Sequence, residues 1–219
     1  MIAEELITDS IVPLRTSDTG DEALGIMAEF YVKHLPIVNN TQLLGLVSED
    51  DLLHHDPEEP VGAMDLSLNR PYVHSNDHFY EVLRMMALHQ LSVIPVVDEE
   101  DNYLGLITLE DLLQHFARTG GFAEPGSIIV LETSKRGYSL AEIARIVESE
   151  NASVLNSFVG TSPDGSTVEV TIKINAHNNN AILATFERFG YEVKASYRED
   201  EYEDVLKERF DSFMAYMNV

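Results

Sequence analysis

Two short patterns in this sequence place a hydroxyl three residues before a carboxylate: Ser48 precedes Asp51, and Thr108 precedes Asp111. Each pair lies where an apolar, strand-like run gives way to a helical one. At such a junction the hydroxyl and the amides after it favour an anion such as phosphate, and the carboxylate can accept both hydroxyls of a ribose. The same spacing also suits a capping box at the positive end of a helix. The residues alone leave both interpretations open.

The two pairs are the ends of a repeat with a period of about 60 residues. The pattern at 35–38 and 44–53 recurs at 94–97 and 104–113, with the same Pro, Gly and Asp in order. A duplicated supersecondary unit is expected to bury its apolar face against its twin. The two copies together therefore define where a binding site should be sought.

The charge of the chain narrows the classes of partner. With 14 Lys and Arg against 38 Asp and Glu, the formal net charge is −24, which argues against a nucleic-acid partner. The absence of Cys excludes disulfides and thiolate metal sites, and it favours a reducing compartment. The acidic amino terminus and the short apolar runs predict neither a secretory signal nor a membrane span. We therefore expect a soluble, cytoplasmic protein without a metal site.

A strand–helix–strand–strand–helix unit must position each hydroxyl–carboxylate pair. In the first copy, Asp18 or Thr19 is expected to cap a helix whose apolar stripe continues to about His34. Strands at 35–38 and 43–47 then follow as a hairpin. The second copy predicts the same order of elements.

Changes in composition divide the chain into segments. A stretch rich in Pro and acidic residues separates the two copies, and a Gly/Pro-rich stretch follows the second. The predicted segments are a first repeat at 1–56, a second repeat at 57–118, a linker at 119–126, a further domain at 127–198 and a C-terminal helix at 199–219.

The carboxy-terminal part has a different order of elements. Strand, helix, strand, strand, helix and strand follow one another from about Ser127 to Tyr197, which is the ferredoxin-like pattern. Apolar residues then recur at helical spacing from Tyr202 to Met217, and they predict an amphipathic helix. That helix would cover either the free face of the preceding sheet or a second copy of the chain. The predicted fold class is α+β.

The repeats resemble the cystathionine-β-synthase (CBS) domain, which occurs as a tandem pair. The resemblance rests on a pattern found twice: an apolar residue, Pro, two apolar residues, a hairpin, Gly, two apolar residues, Ser or Thr, two residues and Asp. It covers about residues 1–118. Pairs in this family form a disc with two symmetry-related clefts, which commonly bind adenosine-containing ligands and regulate an attached or partner protein. The resemblance implies β-α-β-β-α repeats and no catalysis.

By the pattern of that family, the ligand contacts fall on the strand before the Pro, the segment entering the first helix, and the hydroxyl–carboxylate pair. The predicted ligand-binding residues of the first repeat are Thr16, His34, Leu35, Pro36, Ser48 and Asp51. Those of the second repeat are Val73, Ser75, Val93, Ile94, Pro95, Thr108 and Asp111. We expect AMP or another adenosyl ligand there, and no other cofactor.

The domain at 127–198 resembles the ACT domain, a ferredoxin-like module that often binds amino acids at dimer interfaces. The turn at 134–138 keeps Gly137 of the Pro-Gly turn usual in that family, but Arg136 stands in place of the Pro. A CBS pair followed by an ACT-like domain is similar to bacterial regulatory proteins of the acetoin-utilisation type.

Together these resemblances imply a non-enzymatic regulator that binds an adenosine-containing ligand in the CBS pair and forms a homodimer. The alternative is an amino-acid-responsive regulator in which the ACT-like domain binds the signal and the CBS pair is a scaffold. An enzyme is disfavoured because no catalytic arrangement is recognisable. The histidines that could act as bases are scattered singly, at His74, His78, His89 and His115.

Overall fold

The computed structural model describes residues 1–66, 70–162, 165–198 and 216. The chain divides into two compact units, Met1–Phe116 and Ala117–Val219. Each unit has its own buried apolar cluster. The amphipathic helix predicted between 202 and 217 lies, except for residue 216, outside the described residues.

The first unit contains the two repeats in the predicted order. The elements of the first repeat are α1 (Gly20–Phe30), β1 (His34–Asn39), β2 (Gln42–Ser48) and α2 (Glu49–Leu53). Those of the second are β3 (Val73–His74), α3 (Phe79–His89), β4 (Val93–Val97), β5 (Tyr103–Thr108) and α4 (Leu109–Thr119). The pairs β1–β2 and β4–β5 are antiparallel hairpins. The leading strand is short: it is one bridge between Leu14 and Ile37 in the first repeat, and the two residues of β3 in the second.

Helix α1 begins where predicted and ends earlier. Thr19 is its cap: the Thr19 hydroxyl accepts from the Glu22 N–H, and the Glu22 carboxylate accepts from the Thr19 N–H at 2.9 Å. The helix stops at Phe30 rather than near His34, because Tyr31 adopts a left-handed backbone with φ 55°. Tyr31 is 93% exposed and therefore does not belong to the buried stripe. Helix α3 ends in the same way, at Gln90 with φ 53°.

The two repeats exchange their leading segments. The Ala3 N–H donates to the Asp77 carbonyl of the second repeat at 2.8 Å, and the Val61 N–H donates to the Asp18 carbonyl of the first repeat at 2.8 Å. Each repeat thus completes the entry to the other repeat's first helix. This exchange explains why one buried cluster runs through both repeats.

Two hairpin glycines make room for the exchanged segments. A Cβ on Gly105 would lie 2.4 Å from Ile7 Cγ2, and a Cβ on Gly45 would lie 2.7 Å from Leu66 Cδ1. Ile7 comes from the segment leading the first repeat, and Leu66 comes from the segment leading the second. The Gly that marks each copy of the sequence pattern is therefore a packing contact between the repeats.

The second unit has the predicted ferredoxin-like order. Its elements are β6 (Ser127–Ser134), α5 (Leu140–Ser149), β7 (Val154–Thr161), β8 (Thr167–Ile174), α6 (Asn180–Arg188) and β9 (Glu192–Arg198). The sheet order is β7-β8-β6-β9, and all neighbours are antiparallel. Residues of α5 and α6 such as Ile143 and Phe186 pack in one cluster with one face of the sheet, including Ile129 and Leu131.

Candidate functional site

In the first repeat, the hydroxyl–carboxylate pair forms a complete capping box. Ser48 precedes α2, and its Oγ accepts from the Asp51 N–H at 3.0 Å. Asp51 Oδ2 in turn accepts from the Ser48 N–H at 3.0 Å and from the Ser48 hydroxyl at 2.7 Å. Both residues are buried, with 9% and 8% exposure. The capping interpretation therefore describes the local geometry of this pair.

In the second repeat the corresponding pair is more open. Thr108 Oγ1 accepts from the Asp111 N–H at 3.0 Å and donates to Asp111 Oδ2 at 2.7 Å. Both residues are half-buried rather than buried. A half-buried carboxylate that accepts one hydroxyl retains capacity for further donors, since an ionised carboxylate offers about four lone-pair sites. Asp111 is therefore better placed than Asp51 to accept hydroxyls from a ligand.

The backbone amides after each hydroxyl are largely engaged. The Glu49 N–H donates to the Lys33 carbonyl at 2.9 Å, and the Leu109 N–H donates to the Ser92 carbonyl at 2.9 Å. The third amide of each set donates to the Ser48 or Thr108 hydroxyl. The anion site expected from the amides is thus smaller than the sequence predicts. Side chains must supply most of the binding to any anion.

A groove of about 360 Å³ opens at Ser48 and is called the Ser48 groove below. It combines the start of α2 with the end of α3 from the other repeat. Its lining is polar and includes two histidines and a lysine: Lys33, His34, Ser48, Glu49, Asp50, His89 and Gln90. Lys33 Nζ lies 4.0 Å from Glu49 Oε2, and the Lys33 side chain is 75% exposed.

A second groove, of about 330 Å³, opens at Thr108 and is called the Thr108 groove. It combines the start of α4 with the end of α1 from the other repeat. Its lining is mostly apolar and aromatic: Phe30, Tyr31, Val32, Ser92, Thr108, Leu109, Glu110 and Leu113. The two grooves thus use equivalent parts of the two repeats with different side chains.

Ser92 joins the two repeats where their strands begin. Its Oγ accepts from the Lys33 N–H at 2.8 Å, and its N–H donates to His34 Nδ1 at 3.2 Å. Since Nδ1 of His34 is an acceptor, the proton of the neutral ring is on Nε2. Burial lowers the pKa of His34, while Asp51, Asp50 and Glu49 oppose that shift. The neutral ring therefore fits this junction.

The other predicted ligand contacts are divided between core and surface. Thr16 is exposed and Ser75 is half-buried. The remaining positions are buried in strands: Leu35, Pro36, Val73, Val93, Ile94 and Pro95. Of the predicted set, His34 and Ser48 line the Ser48 groove, and Thr108 lines the Thr108 groove. The role of each of these residues as a ligand contact stays a prediction.

Sequence reasoning missed the contribution of the helix ends. Phe30 and Tyr31 in the first repeat correspond to His89 and Gln90 in the second, and none of them was expected at a groove. An alignment of the two repeats pairs these positions. Their different side chains could have indicated that the two copies differ there. What the sequence did not indicate was the early helix end, which turns residues 30–31 and 89–90 toward the other repeat's groove.

Comparison with known families identifies the first unit. The family model for the CBS domain matches residues 3–58 and again residues 63–118, together just over half of the chain. This chain belongs to the CBS domain family. Its CBS pair is the tandem arrangement predicted from the two sequence copies. Among the described residues, none of the helices has the length and apolar character needed to cross a bilayer.

Curated relatives match about half of this chain. The chain is 26% identical over 117 residues to an inosine-5′-monophosphate dehydrogenase of Methanocaldococcus jannaschii, covering 51% of this chain and 23% of that protein. It is 31% identical over 114 residues to the magnesium transporter MgtE of Thermus thermophilus, covering 49% of this chain and 25% of that protein. The chain therefore spans about a quarter of the length of these two relatives.

A solved structure with a similar pair is a CBS domain pair/ACT domain protein from Thermotoga maritima. It is 27% identical with a TM-score of 0.49, and the match covers 54% of this chain and 98% of that chain.

Proposed function

We propose that this chain is a non-enzymatic regulatory protein whose CBS pair binds an adenosine-containing ligand of the AMP type. The observation that carries this proposal is the pair of equivalent grooves, each reaching the hydroxyl of a Ser/Thr-x-x-Asp pair. Their volumes, about 360 and 330 Å³, fall in the range of small-molecule sites, about 300–1,000 Å³.

The chemistry around Thr108 supports a nucleoside. Asp111 can accept hydroxyls of a ribose, and an apolar aromatic wall that includes Tyr31 suits a flat base. At the Ser48 groove, Lys33 and His34 suit a phosphate. Each groove therefore offers part of what an adenine nucleotide requires.

The relatives support a regulatory role for the CBS pair rather than a catalytic one. A dehydrogenase and a magnesium transporter have different named activities, yet both match this chain across the CBS pair. A region common to proteins with unrelated activities fits a sensor module better than a catalytic one.

Thermal unfolding in the presence of ligand tests this function. AMP and adenosine, each at about 100 times its dissociation constant, should stabilise the protein by roughly 2.7 kcal/mol, which raises Tm by several degrees. The variant Asp111→Ala should lose most of the shift that adenosine gives, because the ribose hydroxyls lose an acceptor. No shift from any adenine compound in a panel with AMP, ADP, ATP and adenosine would reject the proposal.

A second candidate function concerns the ferredoxin-like unit, which we propose to be an ACT-like domain that responds to an amino acid. The observation in favour is the tight turn after β6, where the Gly137 N–H donates to the Ser134 carbonyl at 3.0 Å. A Cβ at Gly137 would lie 2.9 Å from Thr133 Oγ1, so a larger residue there would displace the Thr133 side chain. A thermal-shift panel of the twenty amino acids tests this function, and it fails if none raises Tm.

We further propose that the protein is a homodimer through this unit. The sheet face opposite Ile129 and Leu131 carries Phe158, 45% exposed, and Tyr197, 60% exposed, opposite Thr171 and Ile128 in the strand register. An exposed aromatic sheet face suits an interface. Light scattering should give twice the chain mass of 24.5 kDa, and Phe158→Asp should lower it. A monomer at micromolar concentration would reject the dimer.

A further inference from the structure

The two grooves differ at equivalent positions. Where the end of α1 places Phe30 and Tyr31 at the Thr108 groove, the end of α3 places His89 and Gln90 at the Ser48 groove. Lys33 at the first strand entry corresponds to Ser92 at the second. At each of these positions, the Ser48 groove has the side chain that is cationic or richer in hydrogen-bond donors.

We infer that the two grooves select different classes of adenosyl ligand: a 5′-phosphorylated one at the Ser48 groove, and one without phosphate at the Thr108 groove. This inference rests on the proposed function and goes beyond it, since it assigns a ligand class to each site.

The Ser48 groove has the donors for a monophosphate. Lys33 is mostly exposed, and its contact with Glu49 at 4.0 Å is a surface ion pair that contributes little. Its ammonium group can therefore turn to a phosphate at small cost. His34 adds an Nε2–H donor, because its Nδ1 already accepts from the Ser92 N–H. Glu49 and Asp50 in the same lining limit how much negative charge the groove can accept, which favours one phosphate over three.

The Thr108 groove disfavours a phosphate. Among the residues of the described chain that line it, none is Lys, Arg or His, and Glu110 adds a negative charge. An anion placed there would lose water without gaining a cationic partner. Phe30 and Tyr31 instead offer aromatic surface to a base, and Asp111 beside the groove offers a carboxylate to the ribose.

Tyr31 presents its ring to solvent on the wall of this groove. The residue is 93% exposed, so burial in the core does not account for an aromatic residue at this position. An exposed ring beside a groove can stack on a flat base.

A crossover of ligands and variants tests this inference in the full-length protein. Titration calorimetry would measure the dissociation constants of AMP and of adenosine for the wild type, Tyr31→Gly and Lys33→Met. Tyr31→Gly should weaken adenosine binding about tenfold, the loss of a stacking contact, and leave AMP unchanged. Lys33→Met should weaken AMP binding about tenfold, the loss of a charged hydrogen bond, and leave adenosine unchanged. Gly adopts the left-handed backbone at position 31 readily, and thermal unfolding of both variants without ligand shows whether each one is folded.

Two variants outside the grooves serve as matched controls. Tyr80→Ala removes another exposed aromatic ring, and Lys135→Met removes another exposed lysine, in the second unit. Neither should change either dissociation constant. If one groove variant weakens both ligands, or neither groove variant weakens either, the assignment of classes is wrong while adenosyl binding itself stands. If the wild type binds neither ligand, the proposed function fails as well.

Discussion

At the Ser48 groove, helix α3 ends in His89 and Gln90, whereas at the Thr108 groove helix α1 ends in Phe30 and Tyr31. Both helices end with a residue in the left-handed conformation, at φ 53° and φ 55°. The backbone of the duplicated unit is thus kept, and the side chains on it have diverged. Tyr31, His89 and Gln90 are exposed, so changes in these side chains cost the core little. Phe30 is half-buried and packs against the core of the first unit.

The hydroxyl–carboxylate pairs differ in a related way. Asp51 is buried in a complete capping box, in which it accepts from the N–H and the hydroxyl of Ser48. Asp111 is half-buried, and within the described part of the chain its carboxylate accepts from the Thr108 hydroxyl. We therefore propose that the Ser48 copy of the motif is mainly structural and that the Thr108 copy contacts a ligand. A repeated motif need not have the same role in both copies.

The largest expected effect concerns the contact between the hairpin Gly of one repeat and the leading segment of the other. Gly105→Ala should destabilise the protein by about 1–3 kcal/mol, because the new methyl group meets Ile7 Cγ2 at 2.4 Å and a β-branched side chain yields little. Gly45→Ala should cost less, since Leu66 Cδ1 is the end of a flexible side chain. Urea unfolding measures both. Equal losses would show that the two repeats accept a side chain at this position equally well.

The next effect separates the two carboxylates. Asp111→Ala should weaken binding of adenosine by roughly 1–3 kcal/mol, the cost of leaving ribose hydroxyls unpaired. Asp51→Ala should instead lower the free energy of unfolding by about 1–2 kcal/mol, because a buried cap is lost. Calorimetry and urea unfolding of both variants check this prediction. Unchanged affinity in both would leave capping as the role of both residues.

Much of the fold was readable from the sequence because repetition, apolar spacing and turn residues are local signals. Thr19 was one of two expected caps of α1, and the order of strands in both units followed from the pattern. The grooves were less readable. Helix α1 ends at a left-handed residue, Tyr31, and the sequence has no Gly or Asn at that position to indicate it. The hydrogen bond of Ser92 with Lys33 depends on the packing of one repeat against the other.

A smaller effect tests the strain at the two helix ends. Tyr31→Gly and Gln90→Gly should each stabilise the protein by about 0.5–1 kcal/mol, since relief of about 1–2 kcal/mol in the left-handed backbone exceeds the entropy that Gly adds to the unfolded chain. Thermal unfolding without ligand measures both variants. A loss of stability in Tyr31→Gly alone would mean that the ring packs on the protein, which contradicts its role as a ligand contact.

The smallest effect is a pH dependence at the junction of the repeats. Burial lowers the pKa of His34 below its ordinary value of 6.5. As the pH falls, the unfolded chain therefore binds a proton at His34 at a higher pH than the folded protein does. The neutral ring contributes to the free energy of unfolding in full above about pH 6.5. This contribution is lost as the pH falls through the lower pKa of the folded protein. His34→Gln should flatten this slope in unfolding midpoints measured from pH 7.5 to 5; an unchanged slope would exclude His34 as its source.

A competition titration tests the central claim, that two grooves bind two classes of adenosyl ligand. Protein would be saturated with adenosine at about 100 times its dissociation constant and then titrated with AMP. If the ligands occupy different grooves, the dissociation constant of AMP should stay within about twofold of its value without adenosine. If they compete for one groove, that constant should rise about 100-fold, and this result would contradict the account.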